Sequence, residues 1–249
     1  MTSRRAKPDF QVWTEGATSS VVVFHEVWGL VAHTKDVCKR MGKLGFATIA
    51  PNLYSGYDDT LTPDNIQAAM HGVWDLSLEE RRDKKKVAEA LDEKNLSEEI
   101  KSVAKLLYDQ GFRDKLLSGA LSAVDEAHSR YERVSTLGFC MGGGLSLKAA
   151  AKSRHLSSAI AFYGEPPSAE LLEKINVPML AVYADHDEII NERVPAFVGS
   201  SLGAGKDLTL KTYPRTKHGF FNDSRKAVYD KRAAADSWEL TKWFLGKKL

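Results

Sequence analysis

Short uninterrupted apolar runs alternate along this chain with segments whose apolar residues fall at helical spacing. Ser20-Val21-Val22-Val23-Phe24 is β-branched and unbroken by polar residues, the pattern of a strand buried on both faces in a parallel sheet. Phe46–Pro51, Tyr131–Thr136, Ala159–Tyr163, Val177–Tyr183 and Leu208–Tyr213 predict further strands. Phe10–Trp13 is a short apolar piece, and Glu15-Gly16 looks like a hairpin turn leading from it into the Val21 strand. Between the strands, Thr34 can cap a helix carrying Val37, Met41 and Leu44 at i, i+4, i+7, with Gly45 as its stop. Asn95-Leu96-Ser97-Glu98 resembles a capping box before the stripe Ile100, Val103, Ala104, Leu107. Leu117, Ala120, Leu121 and Val124 repeat that spacing, as do Ala234, Trp238, Thr241 and Leu245 near the end. Arg193–Leu202 is a further helix, with Pro195 in its first turn. Strands alternating with helices in this way imply an α/β fold: one mostly parallel sheet with helices on both faces, spanning residues 1–249 as a single domain.

One stretch breaks the rhythm. Residues 52–78 are polar and turn-rich, with Tyr54, Tyr57, His71 and Trp74 among them, and the excursion over about 52–112 is read as a lid. The dense charge run Glu79–Lys86 has Glu80 and Lys84 in the favourable i, i+4 order and is read as a solvated helix face. Arg81 or Arg82 is the candidate there for holding an anionic group.

Composition narrows the function classes. The 249 residues carry 35 Lys and Arg against 33 Asp and Glu, so no global field recruits nucleic acid or a membrane. No run approaches the roughly 20 apolar residues needed to span a bilayer. The basic start, Met1–Pro8, has no apolar segment behind it and is not a secretory signal. Two cysteines make no disulfide framework and suit a reducing, cytoplasmic setting. Cys38 lies beside the apolar face of its helix and is expected to be a buried, inert thiol.

Cys140 is different. Gly138-Phe139-Cys140-Met141-Gly142 places it at a strand-to-helix junction, followed by Gly143, Gly144 and a helix carrying Leu145, Leu147 and Ala149–Ala151. This is the G-x-S-x-G nucleophile elbow with sulfur in place of oxygen. A sharp turn strains the central residue and leaves no room for side chains two positions either side, which calls for glycine. The helix starting there offers unpaired N–H groups and a positive dipole end, which favour a thiolate and a developing oxyanion. In open α/β sheets ligands sit beyond the carboxyl ends of strands. After Tyr183 comes Asp185-His186-Asp187, and after Tyr213 comes His218-Gly219-Phe220, giving the chain order Cys, Asp, His. His218 would take the thiol proton and pass it to the leaving group, and a carboxylate would fix the imidazole tautomer. Asp187 is preferred to Asp185 for that role because it lies further into the loop. His186 is an exposed loop residue, and a metal site built from Asp185, His186 and Asp187 lacks ligands, so neither metal nor cofactor is expected.

With these residues, the chain resembles the dienelactone hydrolase family, the cysteine branch of the α/β-hydrolases. The likeness rests on His25-Glu26-Val27-Trp28-Gly29, Gly45-Phe46, Ala50–Tyr54, Gly138–Gly143, Asp187 and His218-Gly219-Phe220. It implies an α/β-hydrolase fold and a Cys140–His218–Asp187 triad. It also implies that Glu26 touches the resting thiol and helps it ionise, and that the Met141 and Val27 N–H groups form the oxyanion hole. The family's arginine four residues after the catalytic His is Asn222 here, with Arg225 further on. Trp28, Tyr54 and Phe220 are the expected apolar wall, with Arg81 a further substrate contact. The expected reaction is hydrolysis of activated esters or lactones through a thioester, by a monomer or weak homo-oligomer acting on a small molecule. A thiol-based redox or electrophile sensor and a ligand-binding relative are the alternatives. The first is disfavoured by the lack of a resolving cysteine near Cys140.

Overall fold

The unbroken apolar run of the first long strand serves two cores at once. In β2 (Ser19–Phe24), Val22 and Phe24 enter one apolar cluster while Val21 and Val23 enter another on the opposite face. A strand's side chains alternate in direction, so only a strand covered on both sides needs every position apolar. Each such side chain, fully buried, contributes on the order of 1.5–3 kcal/mol. The computed structural model describes residues 9–57, 59–77 and 79–248. The basic start Met1–Pro8, Leu78 at the end of the polar stretch and the Arg82 side chain lie outside the described residues.

Seven strands form the sheet in the order β1-β3-β2-β4-β5-β6-β7. They are β1 (Phe10–Val12), β2, β3 (Ala47–Ala50), β4 (Arg133–Phe139), β5 (Ser158–Phe162), β6 (Met179–His186) and β7 (Leu208–Lys217). All pairings are parallel except β1 with β3. The expected hairpin is therefore replaced: Glu15-Gly16 does make a turn, but β1 joins β3 and leaves β2 inside. The chain steps outward from β2 to β3, then returns to lay β4 on β2's other side, with Phe24 opposite Gly138. Strand order reverses at that point, so the carboxyl ends of β2 and β4 open a crevice between them.

Helices α1 (Ala32–Gly42) and α10 (Lys231–Lys248) supply one face, with Val37, Cys38, Met41, Ala234, Phe244 and Leu245 buried against the sheet. The other face carries α5 (Gln110–His128), α6 (Met141–Lys152), α7 (Ala169–Glu173) and α9 (Val194–Gly203). α8 (Glu188–Asn191) is a single turn after β6. The excursion folds into α2 (Pro63–Gly72), α3 (Lys84–Glu93) and α4 (Glu98–Leu107), whose Ile66, Ala69, Val87, Leu91, Val103 and Leu107 join the cluster of Val22 and Phe24. Ser97 caps α4 as its spacing predicts, accepting from the Ile100 N–H.

Three local expectations change. The cap position of α1 is Val31 rather than Thr34, which is buried in the first turn, and the helix ends at Gly42, leaving Leu44 outside the stripe and exposed. The charge run is not one helix: Glu80–Arg82 form a tight 3-10 turn, and Asp83 then caps α3 by accepting from Lys85 and Lys86 N–H. Glu80 accordingly pairs with Lys86 and not with Lys84, which reaches Asp109. β4, β6 and β7 each run further than the apolar pattern indicated, to Phe139, His186 and Lys217, carrying the sheet up to the residues of interest.

Candidate active site

Cys140 stands between β4 and α6 with φ 53° and ψ −118°, a left-handed conformation that costs a side-chain-bearing residue about 1–3 kcal/mol. Its N–H donates to Phe162 O at 3.0 Å, tying the turn to β5. The glycines around it are required by close approach. A Cβ on Gly138 would lie 1.9 Å from Gly142 O, and one on Gly142 would lie 2.3 Å from Phe24 O. The crowding that the sequence suggests is therefore of Cβ against backbone. The thiol is half-buried and heads α6.

β7 and the turn after it bring His218 to this point, and the loop after β6 brings Asp187. The His218 Nδ1–H donates to Asp187 Oδ2 at 2.6 Å, and the Cys140 side chain lies within electrostatic reach of the His218 ring. Desolvation alone would lower the His218 pKa. The Cys140 charge, together with the hydrogen bond to Asp187, outweighs it and holds the imidazole well above its ordinary range. Asp187 is buried while His218 is about a third exposed, so the carboxylate is fixed and the ring keeps access to a ligand. Asp185 takes another part. Its Oδ1 accepts the Thr216 N–H at 3.0 Å, bracing the end of β7. Hydrogen bonds from the Arg215 and Thr216 N–H groups hold its carboxyl below the usual range. His186 is exposed beside Asp185.

Glu26 follows β2 and is almost fully buried. Its Oε1 accepts from Tyr163 OH at 3.3 Å and its Oε2 from Asn222 Nδ2 at 2.5 Å. Asn222 Oδ1 in turn accepts from Ser224 Oγ and N–H. Among the hydrogen bonds of the described residues, none joins Glu26 to the thiol. Both donors on Glu26 are neutral. Tyr163, buried and at φ 39°, lies within electrostatic reach of both Glu26 and Cys140, and its ring is 4.9 Å from that of His218. The sequence singled out neither Tyr163 nor a partner for Asn222. A tyrosine just before Gly164 at a strand end was the available signal.

Val27 follows the end of β2 and Met141 opens α6, and among the hydrogen bonds of the described residues none is donated by the N–H of either. Tyr54 is buried; its OH donates to Val27 O at 2.6 Å and lies 3.8 Å from Met141 Sδ. Trp28 is half-buried with the Arg225 guanidinium 5.1 Å from its ring. Phe220, expected on the acyl wall, is instead fully buried against Tyr163 and Tyr213 and presents no surface to a ligand. Arg81 is buried and spends Nε on Leu76 O and Nη2 on Trp74 O, which staples the excursion. It also lines a cavity of about 290 Å³ with Lys84, Val87, Lys105, Tyr108 and Asp109. Tyr108 lies within electrostatic reach of both Arg81 and Cys140, though no triad residue lines the cavity itself. Cys38 is fully buried under the sheet, where burial pushes its thiol up to about 12. No helix among the described residues is long and apolar enough to cross a membrane.

Known proteins resemble this chain over most of its length. The model of the dienelactone hydrolase family matches residues 10–249. A protein of Saccharolobus solfataricus named "Putative carboxymethylenebutenolidase" is 37% identical over 95% of this chain and 92% of its own. The "Protein usf" of Aquifex pyrophilus is 29% identical over 92% of this chain and 88% of its own. Among solved structures, the dienelactone hydrolase-like promiscuous phosphotriesterase P91, from metagenomic libraries, superposes with a TM-score of 0.67 at 20% identity, covering 94% of this chain and 88% of that one, which speaks to the fold. A match over nearly the whole length places the chain in the dienelactone hydrolase family, as a carboxylic ester hydrolase of the α/β-hydrolase fold.

Proposed function

We propose that the protein hydrolyses activated esters or lactones through a thioester on Cys140, with His218 and Asp187 completing a triad. The observation that carries this reading is the convergence of three chain-distant groups: His218 hydrogen-bonds Asp187 at 2.6 Å and lies within electrostatic reach of Cys140 at the strained elbow. His218 takes the thiol proton, and the thiolate attacks the substrate carbonyl carbon. The resulting oxyanion is received by the N–H groups of Val27 and Met141. As the C–O bond breaks, the leaving oxygen collects the proton from His218, and the acyl group stays on sulfur. Water then attacks the thioester, giving its proton to His218. Departure of the thiolate releases the acid, and the carboxylate at Asp187 stabilises the imidazolium at each stage.

Sulfur limits the choice of substrate. In the tetrahedral intermediate a thiolate leaves more readily than an alkoxide, so alkyl esters revert, whereas enol and phenol esters go forward. Trp28 and the cavity beside Tyr108 are the surfaces offered to the rest of the substrate, and the excursion over residues 52–112 covers them as a lid. Glu26, buried and held by Tyr163 and Asn222, anchors the end of β2 that leads into Val27. Turnover of an aryl ester by wild type and by Cys140→Ala tests the reading. The rate should collapse in the variant, and equal rates in the two proteins would end it.

A further inference from the structure

Val27 can act as an oxyanion donor only if the peptide unit joining it to Glu26 is turned the right way. In a planar trans peptide the C=O and N–H point in opposite directions, so whatever grips the Glu26 carbonyl aims the Val27 N–H. Two groups grip it. The Gly29 N–H donates to Glu26 O at 3.2 Å across a tight turn in which Gly29 has φ 83°. The other is His25 Nδ1, 2.6 Å from the same oxygen. The Leu53 N–H donates to His25 Nε2 at 3.3 Å, so the proton of the ring sits on Nδ1 and is given to Glu26 O. The next peptide is held as well, since Tyr54 OH donates to Val27 O at 2.6 Å. Tyr54 in turn meets the His25 ring edge-on, with centroids 5.0 Å apart.

We infer that His25, with Tyr54, is the positioning residue of the oxyanion hole: the pair clamps the peptides on either side of Val27 so that its N–H stays aimed at the reacting carbonyl. The inference rests on the thioester reading above and deepens it. His25 is fully buried, and burial lowers its pKa to about 4, so the ring stays neutral and keeps the Nε2 lone pair that the Leu53 N–H requires. Neither residue touches the reacting atoms; both act through the backbone. A flipped Glu26–Val27 peptide would put a carbonyl oxygen where the oxyanion forms, which converts stabilisation into repulsion.

The test compares His25→Phe, which fills the space without hydrogen bonds, with His25→Gln, whose amide restores one donor and one acceptor. Tyr54→Phe removes only the hydroxyl. Two reactions are followed on each full-length variant: turnover of an aryl ester, and alkylation of Cys140 by iodoacetamide, which needs the thiolate but builds no oxyanion. Loss of one oxyanion donor lowers kcat by about 10²–10³. His25→Phe should approach that loss with KM little changed, Tyr54→Phe should show a smaller one, and His25→Gln should recover most of the rate. Alkylation should keep its wild-type rate in all three. Full ester turnover in both Phe variants overturns the inference, as does alkylation falling in step with turnover. If His25→Phe does not fold, Tyr54→Phe decides alone: a loss confined to ester turnover supports the clamp, and an undiminished rate removes it. Turnover surviving in Cys140→Ala would instead strike at the thioester reading beneath.

Discussion

Two glycines two positions apart in α6 should respond to the same methyl group in opposite ways. A Cβ on Gly142 would lie 2.3 Å from Phe24 O and 2.7 Å from His25 O, both on the backbone at the end of β2. Ordinary contact begins at 3.4 Å, so the end of β2 must withdraw by about 1 Å, and a backbone cannot rotate away as a side chain can. Overpacking of this kind costs about 1–3 kcal/mol, partly offset by the roughly 1 kcal/mol that Ala gains over Gly in a helix. The expected net destabilisation of Gly142→Ala is about 1 kcal/mol. The larger effect falls on activity, because the displaced segment runs directly into Glu26 and Val27. A 1 Å misplacement of that kind costs about 10² in rate. At Gly144 the nearest atoms to a new Cβ are 3.5 Å away, so Gly144→Ala should stabilise by about 0.5–1 kcal/mol and leave kcat close to wild type. Urea unfolding gives the first pair of numbers and aryl-ester turnover the second. Gly142→Ala matching Gly144→Ala in both would refute the close-approach reasoning.

The two candidate carboxylates can be separated by rate. Asp187→Asn should cut kcat on the order of 10⁴-fold by presenting the wrong imidazole tautomer, while Asp185→Asn, which only loosens the Thr216 brace, should lose far less. Brief iodoacetamide treatment of the folded protein at pH 7 should add one adduct, on Cys140, because Cys38 is fully buried with its thiol near 12; peptide mass mapping reads the site. His25 makes stability depend on acid. Its pKa is lowered on folding to about 4, so the unfolded chain binds the extra proton first, and stability is lost as pH falls from about 6.5 towards 4. Between pH 7 and pH 4.5 that loss is about 2 kcal/mol, and it should be absent from the urea curves of His25→Gln.

Much of this site can be read along the chain because its parts follow strands. The Gly138–Gly142 spacing marks the elbow, and His218 comes at the end of β7, so residue type and place agree without any tertiary information. Asp187 rather than Asp185 as the partner of His218 follows from reach, since β6 continues through Asp185 and turns its carboxyl to Thr216. Contacts made across the fold are harder to read. Asn222 looks in sequence like a lost cation, whereas in space it is the buried donor that holds Glu26 from 196 residues away. Phe220 lies two positions after a triad residue in sequence yet is fully buried in the core with Tyr163 and Phe221. The β1 hairpin fails for a similar reason: a turn fixes a reversal of direction, and not which strand the chain then pairs with. The charge run breaks at Asp83 because its carboxylate caps a new helix, a competition that i, i+4 counting of charges does not register.

The thioester is the step on which everything else depends. Rapid mixing of the protein with an excess of chromogenic aryl ester, quenched in acid and read by intact mass, observes it directly. The mechanism predicts one acyl group added per chain, mapped to the Cys140 peptide, formed no more slowly than turnover and absent from Cys140→Ala. Steady release of the phenol with no acyl mass ever on Cys140, at a rate the Cys140→Ala variant shares, would contradict it.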